Sequence, residues 1–214
     1  MRQLTAHLNS ALTASALAAL VTLVPATVRA EGIIKHPGDH PKYSVELEPH
    51  GLLDWDSYYW GGTGYGLGMH AVIPLVDNGP VSTINNNIGI GFGFDWSHFS
   101  NDNCGFYINR GGGVVINGNL CNASSNTFRF PVYAQWNFFF TKVVGVFAEA
   151  GFGIYHSWWE LDNNAVCPAG YCGSNHTGAF PYFEGGGRFL FGDTVGILVR
   201  IGYPFFTVGA GFLL

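Results

Sequence analysis

One ten-residue segment, Ile88 to Ser97, alternates strictly between large apolar residues and small or polar ones. Its even positions, through Trp96, are all large and apolar, whereas its odd positions carry three glycines, Asp95 and Ser97. Because successive side chains of a strand point to opposite sides, a period of two predicts a β-strand with one apolar face. In a soluble sandwich the other face would be polar and solvated. A face rich in glycine instead predicts the narrow interior of a small barrel.

Seven further segments carry an alternating pattern, clearly in four and more weakly in three, which brings the predicted number of strands to eight. They are Tyr43–Leu53, Tyr65–Leu75, Phe128–Phe138, Val144–Ile154, Ala179–Phe191, Val195–Gly202 and Phe205–Leu214. Charged residues make up 11% of the chain, against about 25% in ordinary soluble domains. Few charges, 31 glycines and 16% aromatic residues favour strands that face lipid on one side. The predicted fold class is all-β, a membrane-embedded antiparallel up-and-down barrel; composition alone also leaves a secreted β-sandwich open.

The first thirty residues have the features of a signal peptide: an early arginine, an apolar core and Val28-Arg29-Ala30 at the expected cleavage site. The apolar core is shorter than the ~20 residues that a spanning helix needs. The predicted organisation is a signal peptide at 1–30, a periplasmic N-terminal tail at 31–42 and a barrel at 43–214. Since Arg2 and Arg29 leave with the signal peptide, the formal charge falls from −5 to −7, which argues against a nucleic-acid partner.

The links between the predicted strands alternate in length. Short links lie near 76–82, 141–142 and 192–193, and longer ones near 54–62, 97–126 and 159–177. In an up-and-down barrel this alternation places the three long links at one end and both termini at the other. Outer-membrane barrels have short periplasmic turns and longer external loops, so the long links are predicted to be external.

A signal peptide, glycine–aromatic alternation, an even number of strands and a final strand ending at the C-terminus resemble the small eight-stranded bacterial outer-membrane β-barrel superfamily. The resemblance covers most of Tyr43 to Leu214. It implies a protein of the bacterial outer membrane that contacts outer-membrane lipid and lipopolysaccharide and is inserted by the barrel-assembly machinery. We expect it to be a monomer. The aromatic residue of the last strand that such machinery reads is here Phe212, which is displaced from the terminus.

If each strand turns its apolar set outward, nearly all charged residues within strands face the lumen. The predicted lumen network is Glu46, Glu48, His50, His70, Asp95, Arg129, Gln135, Glu149, Glu184, Arg188 and Arg200. Carboxylates and guanidiniums in so narrow a space should pair, since an unpaired buried charge is costly. The network either plugs the barrel in place of an apolar core or forms a narrow pore for ions or small solutes. An eight-stranded barrel has room for side chains and little else, which favours the plug.

Aromatic residues concentrate at strand ends, where they predict a girdle at the depth of the lipid headgroups. The predicted girdle is Trp55, Tyr58, Tyr59, Trp60, Trp96, Tyr155, Trp158 and Trp159; a carbohydrate- or lipid-binding site would use the same residue types. Four cysteines lie in the second and third long links, as Cys104 with Cys121 and Cys167 with Cys172. Export favours disulfides over a four-cysteine zinc site, and pairing within each link is the simplest of three connectivities.

The stretch His98-Phe99-Ser100-Asn101 resembles the His-x-Ser-Asn motif of the outer-membrane lipid A deacylases, which are also eight-stranded barrels. The resemblance implies His98 as the general base and Ser100 as the nucleophile of a lipid-modifying hydrolase. Their motif has a glutamate about a dozen residues further on, where this chain has three glycines at 111–113. We therefore predict a non-enzymatic barrel without cofactor or metal. Its role would be structural, or contact with an external ligand through the cysteine-bearing loops.

Overall fold

The barrel is built from eight strands, and the computed structural model describes residues 33–56, 63–101, 122–162 and 173–214. The signal peptide predicted at 1–30 lies outside the described residues. The strands are β1 (Glu46–Asp54), β2 (Gly64–Val76), β3 (Asn86–Asn101), β4 (Asn122–Phe139), β5 (Val144–Asp162), β6 (Gly173–Phe191), β7 (Val195–Tyr203) and β8 (Phe205–Leu213). Among the described residues no helix is long and apolar enough to cross a membrane, a finding that does not bear on strands.

Each strand pairs antiparallel with the next, and β1 pairs with β8, so the sheet closes on itself. The predicted eight-stranded up-and-down barrel is thereby confirmed. The alternation of β3 shows how the sequence produces the wall: Phe92 and Phe94 point outward and are 48% and 40% exposed, whereas Asp95 points inward and is fully buried. Exposed apolar and buried charged side chains reverse the pattern of a soluble protein and match a transmembrane barrel.

The wall is tall on one side and low on the other. Strands β3 to β6 have 16 to 19 residues, whereas β1, β7 and β8 have nine each. A tilted strand crosses a bilayer with about 9–11 residues, so β3 to β6 extend beyond it. The predicted links 97–126 and 159–177 therefore shrink to 102–121 and 163–172. Polar side chains interrupt the alternation there, but backbone pairing continues without it, as far as Asn122 opposite Asp162.

Two ends of the barrel can be distinguished. We call the end with connections 55–63, 102–121 and 163–172 the loop end, and the opposite end, where β1 begins and β8 ends, the terminal end. The connection at 77–85, predicted to be short, has nine residues, which is the same length as connection 55–63 at the opposite end. It is held as a compact turn, in which the Asn86 side-chain amide donates to the Val81 and Ile84 carbonyls, both at 2.8 Å. Strict alternation of short and long links thus fails at the first two connections.

The segment 33–45, which we call the N-terminal segment, packs against the terminal end. It begins with a 3-10 helix at Ile33–Lys35, and the Ile33 amide donates to the Phe140 carbonyl at 3.0 Å. His40 stacks on Phe139 with ring centroids 4.9 Å apart, and its Nε2 lies 2.8 Å from the Asp77 carbonyl oxygen. Part of the predicted periplasmic tail is therefore a fixed part of the barrel, because a buried apolar residue and a buried ring anchor it.

Candidate functional site in the barrel lumen

An ionic cluster lies inside the loop end of the barrel. Arg129 on β4 forms an ion pair with Asp54 at the end of β1, and its Nη1 also donates to Ser97 Oγ at 3.1 Å. Ser97 donates to Asp54 Oδ2 at 2.6 Å, so the three groups close a ring of hydrogen bonds. The guanidinium lies 5.1 Å from the centre of the Phe205 ring. These contacts connect β1, β3, β4 and β8 across the lumen.

Below this cluster, two histidines converge on one carboxylate. His50 Nε2 on β1 lies 2.8 Å from Asp95 Oδ1, and His70 Nε2 on β2 lies 3.1 Å from Asp95 Oδ2. The other ring nitrogen of His50 faces the Glu48 carbonyl oxygen at 3.0 Å. That of His70 faces the Tyr133 hydroxyl at 3.1 Å. All three side chains of this His–Asp–His cluster are shielded from solvent.

Aromatic rings fill the centre of the lumen. Tyr133 and Tyr182 stack with centroids 4.8 Å apart and an angle of 24° between their planes, and they form one buried cluster with Val72 and Phe180. Tyr155 packs against this cluster, so its ring lies inside the barrel and not in the outer girdle predicted for it. The reason is that odd-numbered and even-numbered residues of β5 point to opposite sides of the wall. Tyr155 shares the inner face with the buried Ser157, whereas Ile154 points outward and is 57% exposed.

A second ionic cluster joins five strands. Arg200 on β7 forms an ion pair with Glu48 on β1, and its Nε donates to Glu149 Oε1 on β5 at 3.2 Å. The Gln135 amide on β4 donates to the same oxygen at 2.7 Å. The Tyr182 hydroxyl lies 3.0 Å from an oxygen of Glu149 and 3.0 Å from an oxygen of Glu184. Arg200 thus holds two acids that lie 101 positions apart in the chain.

A third cluster closes the terminal end of the lumen. Arg188 Nη1 lies 3.0 Å from Glu46 Oε2, and its Nη2 donates to Asn137 Oδ1 at 2.8 Å. Asn137 in turn donates to Asn87 at 2.7 Å. Tyr43 of the N-terminal segment also reaches this cluster, and burial raises the pKa of its phenol above the usual value. The N-terminal segment therefore contributes a side chain to the lumen, in addition to those of the strands.

The structure places all eleven residues of the predicted lumen network inside the barrel, each no more than 5% exposed. Asp54 also lies in the lumen, on the same face of β1 as Glu46 and Glu48, although the predicted strand ends at Leu53 and leaves this residue in a loop. Tyr133 and Tyr182 are two further lumen residues beyond the predicted network, and they lie on the same strand faces as Gln135 and Glu184. Strand parity applied to every polar or aromatic side chain would have identified them.

The lumen contains more carboxylates than cations. Among the described residues, six buried carboxylates face three buried guanidiniums, and the two histidines around Asp95 are the further candidates for positive charge. The carboxylates are Glu46, Glu48, Asp54, Asp95, Glu149 and Glu184, and the guanidiniums are Arg129, Arg188 and Arg200. The arginines contact four of the acids. None of the described arginines lies within salt-bridge distance of Asp95 or Glu184, whose contacts are with histidine and tyrosine side chains instead.

Part of the predicted girdle lies on the outer surface near the loop end. Trp55 is 42% exposed, and Trp158 packs on Phe128 with centroids 5.2 Å apart. Trp96 Nε1 donates to Asn126 Oδ1 at 3.2 Å. Tyr58, Tyr59 and Trp60 lie outside the described residues, as does the side chain of Trp159. The same is true of all four cysteines, Cys104, Cys121, Cys167 and Cys172, so their predicted disulfides stay predictions.

The two residues of the deacylase-like motif share the outer face of β3. Ser100 is exposed and His98 is half-buried. His98 Nδ1 lies 3.1 Å from Asn126 Oδ1 on β4, in the place where a catalytic histidine would contact its acid. An amide can orient the ring but carries no negative charge. The described residues therefore give His98 an orienting partner and no carboxylate.

No family model matches the sequence, and no curated protein matches it either. The backbone is similar to two crystal structures of Ail, the attachment invasion locus protein of Yersinia pestis, one of them in complex with the heparin analogue sucrose octasulfate. For each the TM-score is 0.46 and the identity 11%, with 82% of this chain and 99% of Ail covered. A backbone structure of Ail in a phospholipid bilayer nanodisc has a TM-score of 0.39 and 12% identity, with 81% and 100% covered.

The eight strands close into a barrel with apolar side chains outside and charged side chains inside. The chain has the fold of the small eight-stranded outer-membrane β-barrels. At this level of similarity, the binding of sucrose octasulfate is a finding about Ail and not about this chain. The lumen of this barrel holds three ionic clusters, a His–Asp–His cluster and a stack of tyrosines in succession.

Proposed function

We propose that the protein is an integral barrel of the bacterial outer membrane whose lumen is plugged, and that it acts at the cell surface through its loop end. The single observation that supports the plug most strongly is the buried charge network. All six lumen carboxylates and all three guanidiniums are at most 4% exposed. A water-filled channel would leave such groups hydrated and accessible.

The outer surface supports insertion into a bilayer. Leu67, Phe152 and Ile201 are each at least 64% exposed and lie on different strands around the wall. Contiguous apolar surface of this extent is rare on soluble monomers. A closed barrel also satisfies its backbone groups internally, as hydrocarbon requires. Outer-membrane lipid, lipopolysaccharide and the barrel-assembly machinery are the partners we propose on this basis, with the barrel as a monomer.

The surface role follows from the direction in which the wall extends. Strands β3 to β6 continue beyond the length needed for the bilayer and lead into residues 102–121 and 163–172 at the loop end. Loops on a rigid scaffold commonly carry binding function. We propose that these loops are external, that Cys104 pairs with Cys121 and Cys167 with Cys172, and that their target is a ligand outside the cell.

Planar-bilayer recording tests the plug. We expect purified protein to give no steady, resolvable channels. Replacing Tyr133 and Tyr182 together by alanine removes the stacked rings at the centre of the lumen and should produce measurable conductance. The matched control is Phe152→Ala, which removes an aromatic ring from the outer surface and should stay silent. Steady channels from the unmodified protein would refute the plug and support the narrow pore.

Protease treatment of intact cells tests the orientation. Cleavage should be confined to 102–121 and 163–172, whereas connection 77–85 should be cut only after the outer membrane is permeabilised. Cleavage at 77–85 in intact cells would invert the proposed topology. Intact-mass measurement before and after reduction tests the disulfides on the same material, and thiols that react without reduction would contradict them.

A further inference from the structure

We propose that His50, His70 and Asp95 form a binding site for one divalent transition-metal ion inside the barrel. The three residues lie on the adjacent strands β1, β2 and β3, and one donor atom from each lies within 4.8 Å of the others. Each side chain is buried. The proposal concerns the lumen alone, and it does not depend on the orientation of the barrel or on what its loops bind.

The strand register brings the three side chains together over a glycine. Gly68 of β2 is paired with His50 on one side and with Asp95 on the other. A Cβ atom at Gly68 would lie 2.1 Å from Asp95 Oδ1 and 2.4 Å from His50 Nε2. Gly93 has the same relation to His70, since its Cβ would lie 2.0 Å from His70 Cδ2. The two glycines leave the space in which the donor atoms converge.

The donor spacing is close to that of a tetrahedral metal site. Zinc–nitrogen and zinc–oxygen bonds of about 2.0–2.2 Å place neighbouring donors roughly 3.3 Å apart. The two observed separations, from His50 Nε2 and His70 Nε2 to the oxygens of Asp95, are 2.8 and 3.1 Å. The donor atoms of the three residues lie within 4.8 Å of one another, so those that are furthest apart would have to approach one another to admit an ion. A water or the second oxygen of Asp95 would complete the coordination.

The far nitrogens of both rings have the partners that metal-binding histidines need. A ligating histidine almost always donates its other N–H to an oxygen, which fixes the ring and its tautomer. His50 Nδ1 faces the Glu48 carbonyl oxygen, which can only accept, so Nδ1 carries the hydrogen and Nε2 is directed at Asp95. His70 Nδ1 can donate to the Tyr133 hydroxyl in the same way. When no metal is bound, a hydrogen lies between each Nε2 and an Asp95 oxygen, and a bound ion would displace both hydrogens.

The surrounding charges favour a cation at this position. Six buried carboxylates face three buried guanidiniums among the described residues, and Asp95 has no arginine within salt-bridge distance. A divalent ion would hold positive charge beside Asp95, at a place that the arginines do not reach. Two imidazoles and one carboxylate suit zinc, copper, nickel or cobalt, whereas calcium and magnesium prefer oxygen ligands alone. We therefore assign the site to a divalent ion of this group, with zinc as the ion to test first.

Metal analysis of refolded protein tests the proposal. The whole chain is refolded into detergent micelles with excess Zn²⁺, dialysed against metal-free buffer and analysed by elemental mass spectrometry. We expect about one zinc per chain, falling at least tenfold in His50→Gln and in Asp95→Asn. The controls are Glu184→Gln, a lumen acid outside the site, and His36→Gln, an exposed histidine; both should retain the zinc.

Heat-modifiable gel migration shows whether each variant has folded. If the two site variants fail to fold, Cu²⁺ substitution in the unmodified barrel gives the answer instead, because electron paramagnetic resonance resolves hyperfine coupling to two imidazole nitrogens. A zinc content below a tenth of an equivalent in the unmodified protein overturns the proposal. The same zinc content in the unmodified protein and in folded site variants also overturns it, as does a copper spectrum without nitrogen coupling.

Discussion

Removing the Arg200 guanidinium should destabilise the barrel more than any change at an exposed ion pair. In Arg200→Met, Glu48 and Glu149 stay buried and lose the cation that both contact. The guanidinium also lies 5.0 Å from the centre of the Phe147 ring. Removing one partner of a buried pair costs about 3–5 kcal/mol, because the remaining charge is uncompensated. We expect the free energy of unfolding to fall by that amount.

A double-mutant cycle separates the lost pair from lost packing. Glu48→Gln alone should cost about 1–3 kcal/mol, since Arg200 keeps Glu149. The double variant should be more stable than the sum of the two single losses by about 0.5–3 kcal/mol, because the second change removes an acid that the first left unpaired. The assay is urea unfolding of protein refolded into phospholipid vesicles, followed by tryptophan fluorescence and by heat-modifiable gel migration.

The matched control is Lys142→Met. Lys142 Nζ lies 3.6 Å from Asp39 Oδ1, but both side chains are largely exposed, and such pairs contribute at most about 1 kcal/mol. If Arg200→Met costs no more than Lys142→Met, or if the changes at Arg200 and Glu48 are strictly additive, the lumen network is not the stabilising element that we describe.

Three further outcomes are expected. Gly93→Ala should lower the free energy of unfolding by about 1–3 kcal/mol, because the added Cβ overpacks the lumen. Gly185→Ala, whose added Cβ would lie 3.8 Å from its nearest neighbour, should leave that free energy nearly unchanged. Equal urea midpoints for the two variants would contradict the crowding at Gly93. His40→Ala removes the stack on Phe139 and a hydrogen bond, together about 1–2 kcal/mol, so trypsin should cleave the N-terminal segment roughly tenfold faster; an unchanged rate would show that the ring does not anchor it. Lipid A from cells expressing the protein should keep all its acyl chains by mass spectrometry, and acyl loss that Ser100→Ala abolishes would establish the hydrolase instead.

The wall of the barrel could be predicted from sequence because alternation is a local property. The four residues from Phe92 to Asp95 are enough to show which side chains point outward and which point into the lumen. The strand ends at the loop end could not be predicted, since Ser124 to Asn126 are all polar and carry no alternation, although their backbone pairs with β5.

The partners inside the lumen could not be predicted for a different reason. Arg188 contacts Glu46, 142 positions away in the chain. That pairing depends on the stagger between strands, which the closure of the whole barrel sets. His50, His70 and Asp95 were identified as inward-facing, but their convergence depends on Gly68 and Gly93 being opposite them, which only the register reveals.

The low side of the wall has a mechanical consequence. There the barrel is closed by β1 and β8, nine residues each, and the short β1–β8 ladder is interrupted at Glu48 and Pro49, where proline has no N–H to donate. Backbone amides along this line should exchange with deuterium soonest, while those between β4 and β5 exchange last. On heating, the barrel should therefore open first along the seam where its first and last strands meet.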